Sequence, residues 1–183
     1  KVITGAIPAE YVGAPGLISN VVTKSGSNSF SGSANYFFQN SNLVAENENA
    51  PNEDFSNKDS AFTIGGPVFR DKAWFFGSYR YLNRSDDVST LDTGEFMRTV
   101  DNTQHQGFAK VSWAATSADL LSATYLSDPT DVSGRRQRDI TNARDRAREQ
   151  GGARYSGTYT RVWSGTLLEV GANKHNGEVT DLS

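Results

Sequence analysis

The feature that most constrains this chain is an alternation of apolar and polar residues that recurs in segments of roughly ten residues. In the first segment, 30–39, aromatic and small residues hold the even positions and mostly polar residues hold the odd ones. Six more segments lie near 60–66, 73–83, 104–113, 121–125, 153–163 and 168–173. A tilted strand of this length spans a bilayer, and its second face stays wet. The sequence therefore predicts an all-β fold, namely part of a transmembrane antiparallel β-barrel.

Composition excludes other classes. No run approaches the ~18 consecutive apolar residues that a membrane-spanning helix needs. The chain has no cysteine, so neither a disulfide framework nor a thiolate metal site is expected. The net charge of −3 provides no basic field for nucleic acid, which we do not expect as a partner.

The connections between the segments alternate in length. Those at 41–59, 84–103 and 127–150 are long and polar, whereas 67–72, 114–118 and 164–165 are short. Outer-membrane barrels have short periplasmic turns and long extracellular loops. We therefore predict that the three long connections lie outside the cell.

Aromatic residues fall near the two ends of the segments. The three tryptophans are expected at the short-turn edge and five tyrosines toward the long-loop edge, as two interfacial girdles: Trp74, Trp113, Trp163, Tyr36, Tyr79, Tyr81, Tyr125 and Tyr155. The alternative is that aromatic residues simply favour strands.

Two motifs resemble a known family. Pro8-Ala9-Glu10-Tyr11, followed by the stretch 16–26 that ends in Thr-Lys-Ser-Gly, resembles the last plug segment of TonB-dependent receptors. It departs from the usual pattern where Val12 precedes Gly13 and where Leu17 replaces a second glycine, so the local turn differs. The stretches 64–68 and 71–79 are similar to the early barrel hairpin of the Oar-like branch, whose members contain a carboxypeptidase-regulatory-like domain.

The resemblance implies a domain organisation and partners. Residues 1–26 would be the end of a plug and 27–183 about seven strands of a plugged barrel of about 22 strands, so the chain is expected to be a fragment. The implied location is the outer membrane of a Gram-negative bacterium, in contact with outer-membrane lipid and lipopolysaccharide. A TonB-type periplasmic energy transducer would engage a region outside this chain, and the solute would be a peptide, a saccharide or a metal chelate.

Few residues indicate other chemistry. His105 and His175 lack metal-ligand spacing, and we expect no cofactor and no enzyme activity. The acidic loop with Glu46, Glu48, Glu53, Asp54 and Asp59 could hold calcium or be merely solvated. An arginine-rich loop could contact an anionic ligand, or it could be a charge-balanced solvated loop. Its arginines are Arg135, Arg136, Arg138, Arg144, Arg146 and Arg148.

Three functions stay open at this point. The first is energised uptake by a plugged barrel. The second is a passive porin or adhesin-like barrel, and the third is a secreted soluble domain that binds carbohydrate through its aromatic residues.

Overall fold

The fold is all-β. The computed structural model describes residues 2–4, 17–19, 24–45, 53–90, 93–134 and 146–182. The strands are β1 Val2–Thr4, β2 Leu17–Ser19, β3 Ser31–Asn40, β4 Phe55–Phe69, β5 Ala73–Ser89, β6 Phe96–Ala114, β7 Asp119–Ser127, β8 Thr130–Ser133, β9 Ala147–Trp163 and β10 Thr166–Leu182. A 3₁₀ turn, Ser41–Leu43, follows β3. In the described ranges, no helix has the length and apolarity needed to cross a membrane.

Strands β3 to β10 form one antiparallel sheet in which neighbours along the chain are neighbours in space. The order is β10-β9-β7-β6-β5-β4-β3, and β8 pairs with β6 and β9. Strand β8 therefore extends the line of β7 beyond a break at Asp128 and Pro129. Proline has no N–H to donate to the ladder, but the carbonyl of Pro129 still accepts a hydrogen bond from His105 N at 2.9 Å. With β7 and β8 taken as one interrupted strand, the meander contains the seven strands predicted.

The turn between β9 and β10 shows why one edge of the sheet has short connections. Only Ser164 and Gly165 separate the two strands, and their φ angles are 42° and 80°. Positive φ at both central residues is the type I′ geometry, which matches the twist of a two-residue hairpin. Asp71, in the turn between β4 and β5, also has a positive φ of 62°.

The predicted long connections are corrected at their bounds. The ranges 84–89 and 96–103 belong to β5 and β6, so the loop predicted at 84–103 is reduced to 90–95. Likewise β4 begins at Phe55 and β9 at Ala147, which shortens the loops predicted at 41–59 and 127–150. Beyond the apolar segments these strands carry polar residues on both faces, so alternation no longer marks them. Cross-strand hydrogen bonds hold them in the sheet nonetheless.

The sheet has almost no buried apolar core. Among the described residues, Ala73 is the one hydrophobic residue that is buried, while Ile64 is 58% exposed and Trp113 51% exposed. A soluble domain of this size would bury most of its large apolar side chains. These side chains therefore need a surrounding other than water.

Strands β1 and β2 form a separate antiparallel pair in which Ile3 is opposite Ile18. They fall within the range predicted as the end of a plug. The rest of residues 1–23 lies outside the described residues, and so does most of the motif 8–26.

Candidate membrane interface and inner face

The strand register assigns every side chain to one of two faces, because residues paired across antiparallel strands point to the same side. Ile64 pairs with Gly77, Gly77 with Ala109, and Ala109 with Tyr125. We call this side the banded face. Its apolar members include Ala34, Tyr36, Phe38, Phe62, Ile64, Phe75, Tyr79, Tyr81, Ala109, Val111, Trp113, Leu121, Ala123, Tyr125, Tyr155, Tyr159, Trp163, Leu168, Val170 and Ala172. The opposite side, which we call the polar face, is mainly hydrophilic.

Except on β3, where Phe38 follows Tyr36, the large apolar residues of the banded face, which we call the band, end abruptly toward the long connections. Beyond Tyr81 the same face of β5 carries Asn83, Ser85 and Asp87. The other strands change in the same way, with Lys58 on β4, Asp101 on β6, Asp131 on β8, Glu149 on β9 and Glu178 on β10. Tyrosines stand at this boundary, where rings with an apolar body and a polar tip are favoured at a membrane surface.

The band has a constant height and is inclined to the strand pairing. Trp113 and His105, which pairs with Tyr81, are eight positions apart on β6, and Trp163 and Tyr155 are eight positions apart on β9. At ~3.3 Å per residue this is about 26 Å along a strand, or roughly 20 Å across a bilayer at the tilt of such barrels. Trp113 is in the same paired row as Tyr159, which is four positions from Trp163. The row of His105 likewise meets β9 four positions from Tyr155, so both boundaries of the band shift by four positions from β6 to β9. Strands tilted in a flat bilayer produce such a shift.

Trp74 does not belong to the predicted girdle. It pairs with Ser112, one position from the pair of Ala73 with Trp113, and so lies on the polar face. Its indole Nε1 donates a hydrogen bond to Asn28 Oδ1 at 2.7 Å. The other seven predicted aromatics all lie on the banded face.

The two histidines lie on different faces and cannot share a ligand. His105 is on the banded face, where its Nδ1 is 2.7 Å from Tyr79 Oη and its ring centroid is 5.2 Å from that of Tyr81. His175 pairs with Arg154 on the polar face. No cluster of potential metal ligands occurs in the part of the chain that the structure describes.

Ion pairs form on the polar face. Arg80 contacts both carboxylate oxygens of Asp59 at 2.9 and 2.6 Å, and Arg84 contacts Asp86 in the same way. Asp59 belongs to the acidic loop that could hold calcium or be merely solvated, and Arg80 pairs with it in β4. Of the other acidic residues of that loop, Asp54 accepts a hydrogen bond from Ser41 and Glu53 accepts one from Ser89 N, while Glu46 and Glu48 lie outside the described residues.

Most of the arginine-rich loop also lies outside the described residues, including Arg135, Arg136, Arg138 and Arg144. Arg146 is exposed just before β9. Arg148 forms two hydrogen bonds with Asp181, at 2.6 and 3.0 Å, well beyond the tyrosine boundary. These hydrogen bonds raise the pKa of Arg148 above its ordinary value. The side chain of Arg148 is thus engaged by β10.

The segment 24–30, which leads into β3, crosses the polar face at the short-turn edge. A Cβ on Gly65 would point to this face and would lie 3.7 Å from Gly26 Cα. At Gly26 itself, a Cβ would overlap the carbonyl oxygens of Phe75 and Gly66, so only glycine allows this approach. Two residues later, Asn28 accepts hydrogen bonds from Asp71 N and Trp74 Nε1 and donates one to Asp71 Oδ1. Sequence reasoning missed this junction, since nothing in the motif at 16–26 indicates its contacts with residues 65–75.

Comparison with known proteins agrees with the geometry. Residues 22–99 match the model of a protein family described as outer membrane beta barrel domain. Searches of curated proteins and of solved structures gave no match. The matched range begins just before the segment 24–30 and ends inside β6. The sheet is therefore part of a β-barrel in the outer membrane of a Gram-negative bacterium. A secreted soluble domain does not fit this location.

Proposed function

We propose that this outer-membrane β-barrel protein is a TonB-dependent receptor of the Oar-like branch. It takes up a scarce solute with energy delivered by a periplasmic TonB-type transducer. The observation that carries the proposal is the path of residues 24–30 over the polar face. In a closed barrel whose banded face meets lipid, the polar face lines the lumen. The chain that precedes β3 would then emerge from inside the barrel.

The direction of that path also supports a plug. Residues 24–30 reach β3 at the short-turn edge, which is the periplasmic side of such barrels. A plug that an energy transducer pulls from the periplasm must be joined to the barrel at this edge. Asn28 and Gly26 fix the junction, so the first crossing strand stays in place when the preceding segment moves.

The polar face suits a wet lumen that receives a polar solute. Its charged side chains are paired in part, as in Asp59 with Arg80, and it also carries Gln104 and Gln106. Such a surface provides hydrogen bonds and charge in place of an apolar pocket. Peptides, saccharides and metal chelates all fit this description, and the solute stays open among them.

The test of uptake uses the native gene in its own cells. Cells with and without the gene receive a limiting mixture of a peptide digest, oligosaccharides and metal chelates, and depletion of the medium is followed by mass spectrometry. We expect gene-dependent depletion of one class of solute, which a protonophore abolishes. Gene-dependent depletion that continues with the protonophore would identify a passive porin instead.

A second measurement tests the plug by itself. The intact native gene product, reconstituted in a planar bilayer, should pass little ionic current, whereas a variant deleted from its mature N-terminus through Gly26 should open in large steps. Both forms are first shown to be heat-modifiable on gels, so that failure to fold is recognised. Large current steps in the intact protein would contradict a plugged barrel.

A further inference from the structure

A groove crosses the band on the banded face of the sheet. Its floor is a row of small side chains, Ala123, Gly157 and Ala172, which are paired across β7, β9 and β10. Larger residues of the neighbouring row, among them Trp113 and Tyr159, form the wall on the short-turn side. The groove has a volume of about 390 Å³ and an almost entirely apolar lining.

On the opposite side of the groove the next row of the sheet is aromatic. Tyr125 and Tyr155 are paired one row nearer the long connections, with ring centroids 5.2 Å apart. The groove therefore begins at the tyrosine boundary and lies within the band. Because the band is in the outer membrane, the groove is covered by lipid, and a depression between large rings fits a flexible hydrocarbon chain better than a flat surface does.

One cation lies in the row that follows the groove toward the long connections. Lys174 follows Ala172 on the same face of β10 and is directly opposite Tyr155. At the tyrosine boundary an amine lies at the depth of lipid headgroups, where lysine attracts anionic groups such as phosphate. An apolar groove with a cation at its headgroup end is complementary to a single lipid that has an acyl chain and a phosphate.

We propose that this groove and Lys174 form a specific site for one phosphorylated glycolipid of the outer leaflet, of the lipid A type. An acyl chain lies over Ala172, Gly157 and Ala123, and the phosphate binds the amine of Lys174. The outer leaflet follows from the long connections, which lie on the same side as Lys174 and mark the cell exterior. The site does not depend on transport, so it can fail without affecting the proposed uptake.

Two substitutions separate the parts of the site, and each has a matched control. Gly157→Leu fills the floor, and a Cβ at Gly157 meets no atom within 4 Å, so the backbone accepts it. Gly107→Leu is its control, because Gly107 is on the same face with equally open space but outside the groove. Lys174→Gln removes the cation, and Lys58→Gln is its control on the same face of β4.

The native gene product, purified from outer membranes and delipidated, is titrated with bis-phosphorylated lipid A and, separately, with phosphatidylglycerol in native mass spectrometry. We expect one lipid A to bind tightly, and each groove variant to weaken it by roughly tenfold, as expected for loss of one charge-assisted contact or of the chain's packing. The controls should bind as the unmodified protein does. Equal affinity in all five proteins, equal weakening by the controls, or preference for phosphatidylglycerol would overturn the site.

Discussion

Trp74 and Asn28 are joined by a hydrogen bond of 2.7 Å from the indole Nε1 to the amide Oδ1, across 46 residues of chain. The bond connects the segment that enters β3 with the polar face of β5. Together with the two contacts of Asn28 with Asp71, it fixes where the entering chain stops and the barrel begins.

Asn28→Ala should loosen this junction without unfolding the sheet. It removes three exposed hydrogen bonds, worth about 1–3 kcal/mol together, so local opening becomes easier. We expect the amide of Asp71, which donates to Asn28 Oδ1, to exchange with deuterium roughly ten- to a hundredfold faster in the native gene product. Asn35→Ala, on the polar face of β3 away from the turn, is the control. Unchanged exchange in the Asn28 variant would show that other contacts hold the segment.

Gly26→Ala should displace the same segment by a steric route. The added Cβ would overlap two carbonyl oxygens of the sheet backbone, which cannot move aside as a side chain can. Faster exchange is expected at the amide of Asp71, because its hydrogen bond to Asn28 depends on the position of the segment, with heat-modifiability retained. Gly77→Ala is the control, because its Cβ would lie 3.8 Å from the nearest atom, Ile64 Cγ2. Equal exchange in the two variants would contradict the close approach of Gly26.

Charge should be tolerated on one face of β6 and not on the other. Ala109→Arg places a cation on the banded face halfway between Trp113 and His105, at an expected cost of about 2–4 kcal/mol. Gln106→Arg adds the same group to the polar face of the same strand and should be nearly neutral. Unfolding in guanidinium, followed by tryptophan fluorescence, measures both. A similar loss of stability in the two variants would mean that β6 does not have one lipid-facing side.

Much of this fold can be predicted from the alternation alone. The shared odd positions of Phe75, Gly77, Tyr79 and Tyr81 predict the apolar side of β5, and the same parity places Trp74, at an even position near the start of the strand, on the other side. The location of an aromatic residue near a strand end thus predicted its face less well than its odd or even position in the strand. Parity could have found this error without a structure.

The extent of the strands could not be predicted in the same way. Residues 84–89 and 96–103 lie beyond the apolar band, so no apolar row marks them, and their strand structure depends on pairing with each other. Strand β8, which follows Pro129 in the chain, could not be predicted for the same reason, since no apolar row marks it. Contacts such as Asn28 with Trp74 join distant parts of the chain and leave no local pattern.

We propose that one face of this sheet meets lipid and the other lines a wet lumen. Single cysteines introduced in turn at 153–163 on β9 test this directly, since the 183 residues contain no cysteine, and any cysteine elsewhere in the gene product is first replaced by serine. Each is spin-labelled in the native gene product in bilayers, and collisions with oxygen are compared with collisions with a water-soluble nickel chelate. We predict that oxygen dominates at 155, 157 and 159 and the chelate at 154, 156 and 158. Equal access of the chelate to both sets would contradict a membrane-spanning sheet.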